Sequence, residues 1–183
     1  MDLKLSFKNV SFEGRGRVIC ETASGLKKII IKDGNEEIPD SFSADFIVQE
    51  GGEIFGKLRA KIINFIGGFN NGIEAEELNV CGATLKGDNF VHDTANFYGK
   101  SILDGNLYVK NELKLDNNSK INYGSHVRVE GDTFILDNSL IEGRLITRKL
   151  EVAGQPTFSE ISEITVNSEK VNPKNVLKRF RRK

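Results

Sequence analysis

The chain of 183 residues is 38% hydrophobic, with twelve Phe, no Trp and three Pro, which is too apolar for a disordered segment and enough for one domain with a sizeable core. Its formal charge is zero but unevenly spread: residues 1–169 hold 19 basic against 26 acidic residues, while 170–183 hold seven Lys or Arg and no acid. The longest apolar runs, such as IIIK at 29–32, fall far short of the ~20 residues that cross a bilayer, and MDLKLSFKN lacks a signal-peptide core, so the expectation is a soluble, cytoplasmic protein.

Along the first forty residues, LSFKNVSFEGRGRVIC alternates like strands, and KKIIIKDGNEEIPD reads as one strong strand followed by a turn at Asp33-Gly34. Residues 1–40 are therefore expected to form irregular starting coils or an N-terminal β-cap. Cys20 and Cys81 lie inside apolar runs without metal-ligand spacing, and read as buried free thiols.

From Ser41 a repeat emerges. Gly56, Gly72, Gly87, Gly105, Gly124 and Gly143 follow one another at nearly even intervals, the shortest from Gly72 to Gly87 and the longest from Gly105 to Gly124 and on to Gly143. A second landmark moves with them: LDNNSKINYG at 115 and LDNSLIEG at 136 share an Asp-Asn-Ser corner, and ADFIVQEGGEIFG at 44 matches EELNVCGATLKG at 76. This period is too short for helical repeats or propeller blades. Apolar residues alternate in bursts within a unit, as in Leu107 and Val109, then Leu113 and Leu115, then Ile121. Three short strands per unit, joined by Gly, Asn, Asp or Ser corners, describe a parallel β-solenoid over residues 41–166 with Val109 and Leu115 pointing inward.

Between 85 and 127 apolar residues recur at every sixth position, at Leu85, Val91, Phe97, Leu103, Val109, Leu115, Ile121 and Val127, with small residues at Ala95, Ser101, Ser119, Ser125 and Gly131. That stretch resembles the hexapeptide repeat of left-handed β-helix acyltransferases. The wider run GKLRAKIINFIGGFNNGIEAEELNVCGATLKGD, and with it roughly residues 41–166, resembles the bactofilin family of polymer-forming bacterial scaffold proteins. That resemblance implies an all-β fold, a single-stranded parallel right-handed β-helix: a triangular solenoid with three short strands in each coil, one coil per glycine interval. The left-handed hexapeptide β-helix is the alternative. The chain departs from the family in its more structured N-terminal stretch.

No catalytic, cofactor-binding or metal site is expected. His92 and His126, separated by nearly two coils, read as surface histidines on one face, and Asp88, Asp104, Asp116, Asp132 and Asp137 occupy corners where Asp serves turns. In the basic tail, residues 167–183, Asn172 is a cap candidate, Pro173 suits the first helical position, and Val176, Leu177 and Phe180 share one side. Around them stand Lys174, Lys178, Arg179, Arg181, Arg182 and Lys183. The tail reads as solvated, or as docking an acidic protein, an anionic membrane or nucleic acid.

The last coil keeps Phe158, Ile161, Ile164 and Val166 up to its close, which suggests a weak cap and a site for end-to-end assembly. The expected function is thus a non-enzymatic scaffold, self-assembling into an oligomer or filament, with no cofactor and no small-molecule substrate. Two alternatives are an acyltransferase trimer using His92 or His126 as base, and a binding module or effector presenting aromatics on one face, since Phe90, Phe97, Tyr98, Tyr108 and Tyr123 cannot all be assigned inward.

Overall fold

The computed structural model describes residues 10–11, 14–23, 26–38, 41–42, 45–54, 58–70 and 72–181. They form a parallel β-solenoid of about seven turns. The strands, in chain order, are β1 (Val10–Ser11), β2 (Gly14–Ala23), β3 (Leu26–Ile38), β4 (Ser41–Phe42), β5 (Phe46–Gln49), β6 (Glu53–Ile54), β7 (Leu58–Phe65), β8 (Phe69–Asn70) and β9 (Ile73–Cys81). They continue as β10 (Thr84–Tyr98), β11 (Ile102–Val109), β12 (Glu112–Leu115), β13 (Lys120–Ile121), β14 (His126–Ile135), β15 (Leu140–Ile141), β16 (Arg144–Val152), β17 (Thr157–Phe158), β18 (Glu163–Val166) and β19 (Glu169–Val171). Among the described residues one helix, α1 (Pro173–Phe180), follows them.

Each coil contributes to three faces. On the first face Arg59, Glu74, Phe90, Tyr108, Arg128, Ile146 and Thr165 stand one above another, outward, one from each successive coil. The second face stacks Ile30, Val48, Asn64, Asn79, Asn96, Lys114, Phe134 and Glu151. The third is narrow and turns Leu85, Leu103, Ile121, Ile141 and Phe158 inward.

Strand alternation sends every second side chain to the interior. Every member of the sixfold series from Leu85 to Val127 is inside, none more than 2% exposed. The small residues that accompany the series have a reason as well. Ser101, Ser119 and Ser125 are buried at corners, and their hydroxyls donate to the carbonyl oxygens of Val80, Phe97 and Leu103 in the coil before, at 2.9, 2.9 and 3.0 Å. A serine here satisfies a backbone acceptor that a larger side chain would push away. At the Asp-Asn-Ser corners Asn117, Asn118 and Asp137 adopt positive φ (52°, 64° and 50°), the left-handed region that Asn and Asp enter most readily among residues with a Cβ.

The glycine landmarks mark one corner without occupying one column. Gly87 and Gly105 are in register, but the column continues through Ser125 and Gly143, not Gly124. The connection from Ile121 to Val127 is longer than those from Leu103 to Leu107 and from Ile141 to Leu145, which displaces Gly124 and leaves Tyr123 72% exposed.

At the N-terminal side β3 pairs in parallel with β5, so it already belongs to the stack, and β2 folds back antiparallel on β3. The turn expected at Asp33-Gly34 is instead a bulge within a continuous β3: Arg17 faces Lys32 while Arg15 faces Glu37, and Asp33 Oδ1 accepts a bond from Gly52 N at 2.8 Å. Cys81 is exposed, contrary to expectation, because Val80 before it points inward. The expectation for the Cys20 side chain lies outside the described residues. Among the described residues no helix is long and apolar enough to cross a membrane.

Candidate functional site

The C-terminal end differs from its sequence reading. After β18, Asn167 and Ser168 at positive φ (48° and 66°) reverse the chain, and β19 pairs antiparallel with β18, Val171 opposite Ile164. Asn172 then caps α1 by accepting from Lys174 N at 3.0 Å, with Pro173 opening the helix. Val176 is fully buried against the last coil, Phe180 is half-buried, and Arg181 forms a parallel bridge with Val152. The segment is thus a seated cap over its described residues, because its apolar stripe completes the core that the last coil leaves open.

This cap changes the surroundings of the assembly residues. Ile164 and Val166 are 2% and 7% exposed, and the edge of β18 that would receive another chain is taken by β19. Phe158 is half-buried against the core. Only Ile161, 60% exposed, is a surface residue, at the tip of the connection between Phe158 and Ile164. The four therefore do not make one exposed face.

Helical rotation likewise splits the expected apolar side of the tail. Leu177, about 100° around the helix from Val176, is 36% exposed, and Lys174 and Lys178 at i−3 and i+1 stand beside it on the outer side. Lys174 Nζ lies 2.9 Å from Glu160, Arg179 Nη2 lies 2.6 Å from Glu169, and Arg181 Nη2 donates to Gly154 O at 3.1 Å. Arg182 and Lys183 lie outside the described residues. Residues 157–183 carry seven basic and three acidic groups, a net +4, against 19 and 23 in the rest of the chain, a net −4.

On the first face Phe90 and Tyr108 stack on each other, centroids 4.6 Å apart and rings 7° from parallel, and His92 meets the Phe90 ring edge-on at 4.6 Å. Stacked rings present edges outward, so they make no flat platform. His92 Nε2 sits 3.6 Å from Glu74 Oε1, whose other oxygen accepts from Arg59 Nε at 2.9 Å. A hydrogen bond to Glu130, with burial second, holds the Tyr108 phenol above its usual range. His126 is exposed in a different column, beside Asn106 and Arg144, so the two histidines do not converge. A shallow hollow of about 330 Å³ lies by Phe90, Tyr108, His126 and Arg128, and a notch of about 250 Å³ lies between Tyr123 and Ile161. Of the other aromatics, Phe97 is interior and Tyr98 lies beneath Lys114, whose Nζ is 5.9 Å from the ring centroid.

The corner acids hold their neighbours. Asp88, Asp93 and Asp104 accept from Asn106, Asn111 and Asn122 one coil on, at 2.7, 2.7 and 3.3 Å, and Asp132 pairs with Arg148 at 2.9 Å. Sequence reading missed an asparagine ladder on the second face, where Asn79 Nδ2 donates to Asn64 Oδ1 and Asn96 Nδ2 to Asn79 Oδ1, each at 3.0 Å. The recurrence of asparagine at one coil's spacing was its only signal. Comparison of the chain with family models, curated proteins and solved structures gives no match.

Proposed function

We propose that this protein is a non-enzymatic structural scaffold, a solenoid rod that associates with copies of itself and offers its basic cap to an anionic partner. One observation carries the reading: a single apolar core runs from Ile29 to Val176, covered at its C-terminal end by β19 and α1 and at its N-terminal end, among the described residues, by β2, whose Val18 packs on it. At that N-terminal end the outer edge of β2 over Arg17–Ala23 takes no strand among the described residues. A free strand edge favours addition of another chain. Assembly therefore runs through the N-terminal end, and the C-terminal cap is left for attachment. The resemblance of residues 41–166 to the bactofilin repeat points the same way. Light scattering across a concentration series, with electron micrographs, tests it. Masses climbing above the 20.4 kDa chain and rods longer than one solenoid are expected; a constant 20.4 kDa particle overturns the scaffold.

A further inference from the structure

We propose that the C-terminal cap docks on an anionic lipid bilayer, touched tip-on, with α1 still seated on the last coil. The purpose, an anchorage for the rod, rests on the scaffold reading; the contact depends on the cap alone. Three observations converge on it. The described residues 157–181 carry five basic and three acidic groups, a net +2 at one end of a rod whose other described residues hold 16 basic and 20 acidic groups, a net −4. The outer side of α1 sets Leu177, 36% exposed, beside Lys174 and Lys178. The residues that would drive deep insertion, Val176 and Phe180, are already committed to the core.

A planar anion that meets the C-terminal tip faces the basic cap before the acidic coils behind it. Acidic coils farther back stand off by ~4.8 Å per coil, so beyond the second they lie outside the ~8 Å screening length at physiological salt. Nucleic acid is a poorer fit, since an extended polyanion running past the tip would lie along the acidic flank, and its phosphates give Leu177 no apolar environment. At a bilayer the basic residues each add attraction while the leucine rests at the headgroup boundary, giving reversible, salt-sensitive attachment.

The test co-sediments the full chain with vesicles of phosphatidylcholine alone and with vesicles rich in phosphatidylserine. Binding is expected only to the second, lost at about 1 M salt where the screening length falls to about 3 Å. Lys174→Glu with Lys178→Glu should weaken it at least about tenfold while circular dichroism and melting stay unchanged. Orientation is read by a polarity-sensitive fluorophore in a Cys20→Ser background: attached at Lys178→Cys with Cys81→Ser it shifts on binding, while on the exposed flank residue Cys81 it does not. Equal binding to both vesicles, a flank label that shifts as much as the tip label, or tighter capture of duplex DNA than of vesicles overturns the proposal. Monomeric behaviour in light scattering with vesicle binding intact removes the scaffold and leaves the docking face.

Discussion

Gln49 and Asn70 face each other inside the solenoid, both at most 2% exposed, with Asn70 Nδ2 donating to Gln49 Oε1 at 3.3 Å. Asn70 Oδ1 also accepts from Gly72 N at 3.2 Å, so this side chain ties two adjacent faces through the core. Asn70→Ala strands the Gly72 amide in an apolar interior. A loss of ~1–3 kcal/mol is expected in urea unfolding, since a buried donor without an acceptor bears its full desolvation cost. An unchanged midpoint would show that the pair is dispensable.

Val109 and Leu115 are completely buried on the first and second faces. A carboxylate at either would be buried among apolar side chains, so Val109→Asp or Leu115→Asp should lower stability by more than ~3 kcal/mol. Thermal melting of both variants checks this; melting close to the parent chain would mean that their side chains point outward.

Gly131 tests how closely the coils approach. A Cβ there would sit 1.8 Å from Asn111 O and 2.7 Å from Asn111 C, backbone atoms that cannot step aside. Gly131→Ala is expected to destabilise by ~1–3 kcal/mol, the range for overpacking a close contact. Gly124, whose added Cβ would meet nothing within 4 Å, is the spatial control, although its φ of +84° adds backbone strain to Gly124→Ala.

Asp137 and Asp116 lie one coil apart at equivalent corners. A hydrogen bond from one carboxyl to the other, then desolvation and their mutual repulsion, raises Asp137 above its ordinary 3.8. Such a group binds its proton more tightly folded than unfolded. It therefore adds stability below pH 3.8, and that contribution is lost as pH rises through the higher folded value. Asp137→Asn keeps a hydrogen-bonding amide, tolerates the positive φ and removes the like charge, so melting at neutral pH should rise. The advantage should shrink as pH falls through the raised folded value toward 3.8; a gain that is constant with pH would assign it to the backbone alone.

In the asparagine ladder Asn79 is the middle rung, donating to Asn64 and Glu77 and accepting from Asn96. Asn79→Ala should cost about 1 kcal/mol, the usual net for hydrogen bonds at a half-buried site. Asn64→Ala and Asn79→Ala combined should lose less than the sum of the two, because they share one bond.

Much of the stack was legible in the string because its cause is local. Strand parity decides whether Val109 or Tyr108 turns inward, and corner residues such as Asn117, Asn118 and Ser119 state where the chain bends. Repetition of both at nearly constant spacing then implies stacking. The same locality explains the misreadings: Gly124 looks like its fellow glycines until the register shows the longer connection around it, and Cys81 sits in an apolar run although its parity turns it out.

The amino-acid order alone determined the coils, their period and the mostly apolar interior, since each follows from neighbours a few positions apart. Tertiary structure decided the ends and the outer surface. Whether Ile164 and Val166 are sticky or sealed depends on a hairpin and a helix returning from farther along the chain. Leu177 stays partly exposed while its neighbour Val176 fills the open core. Those outcomes turn on which of several apolar side chains wins a single cavity, a competition settled by three-dimensional packing that no periodicity records.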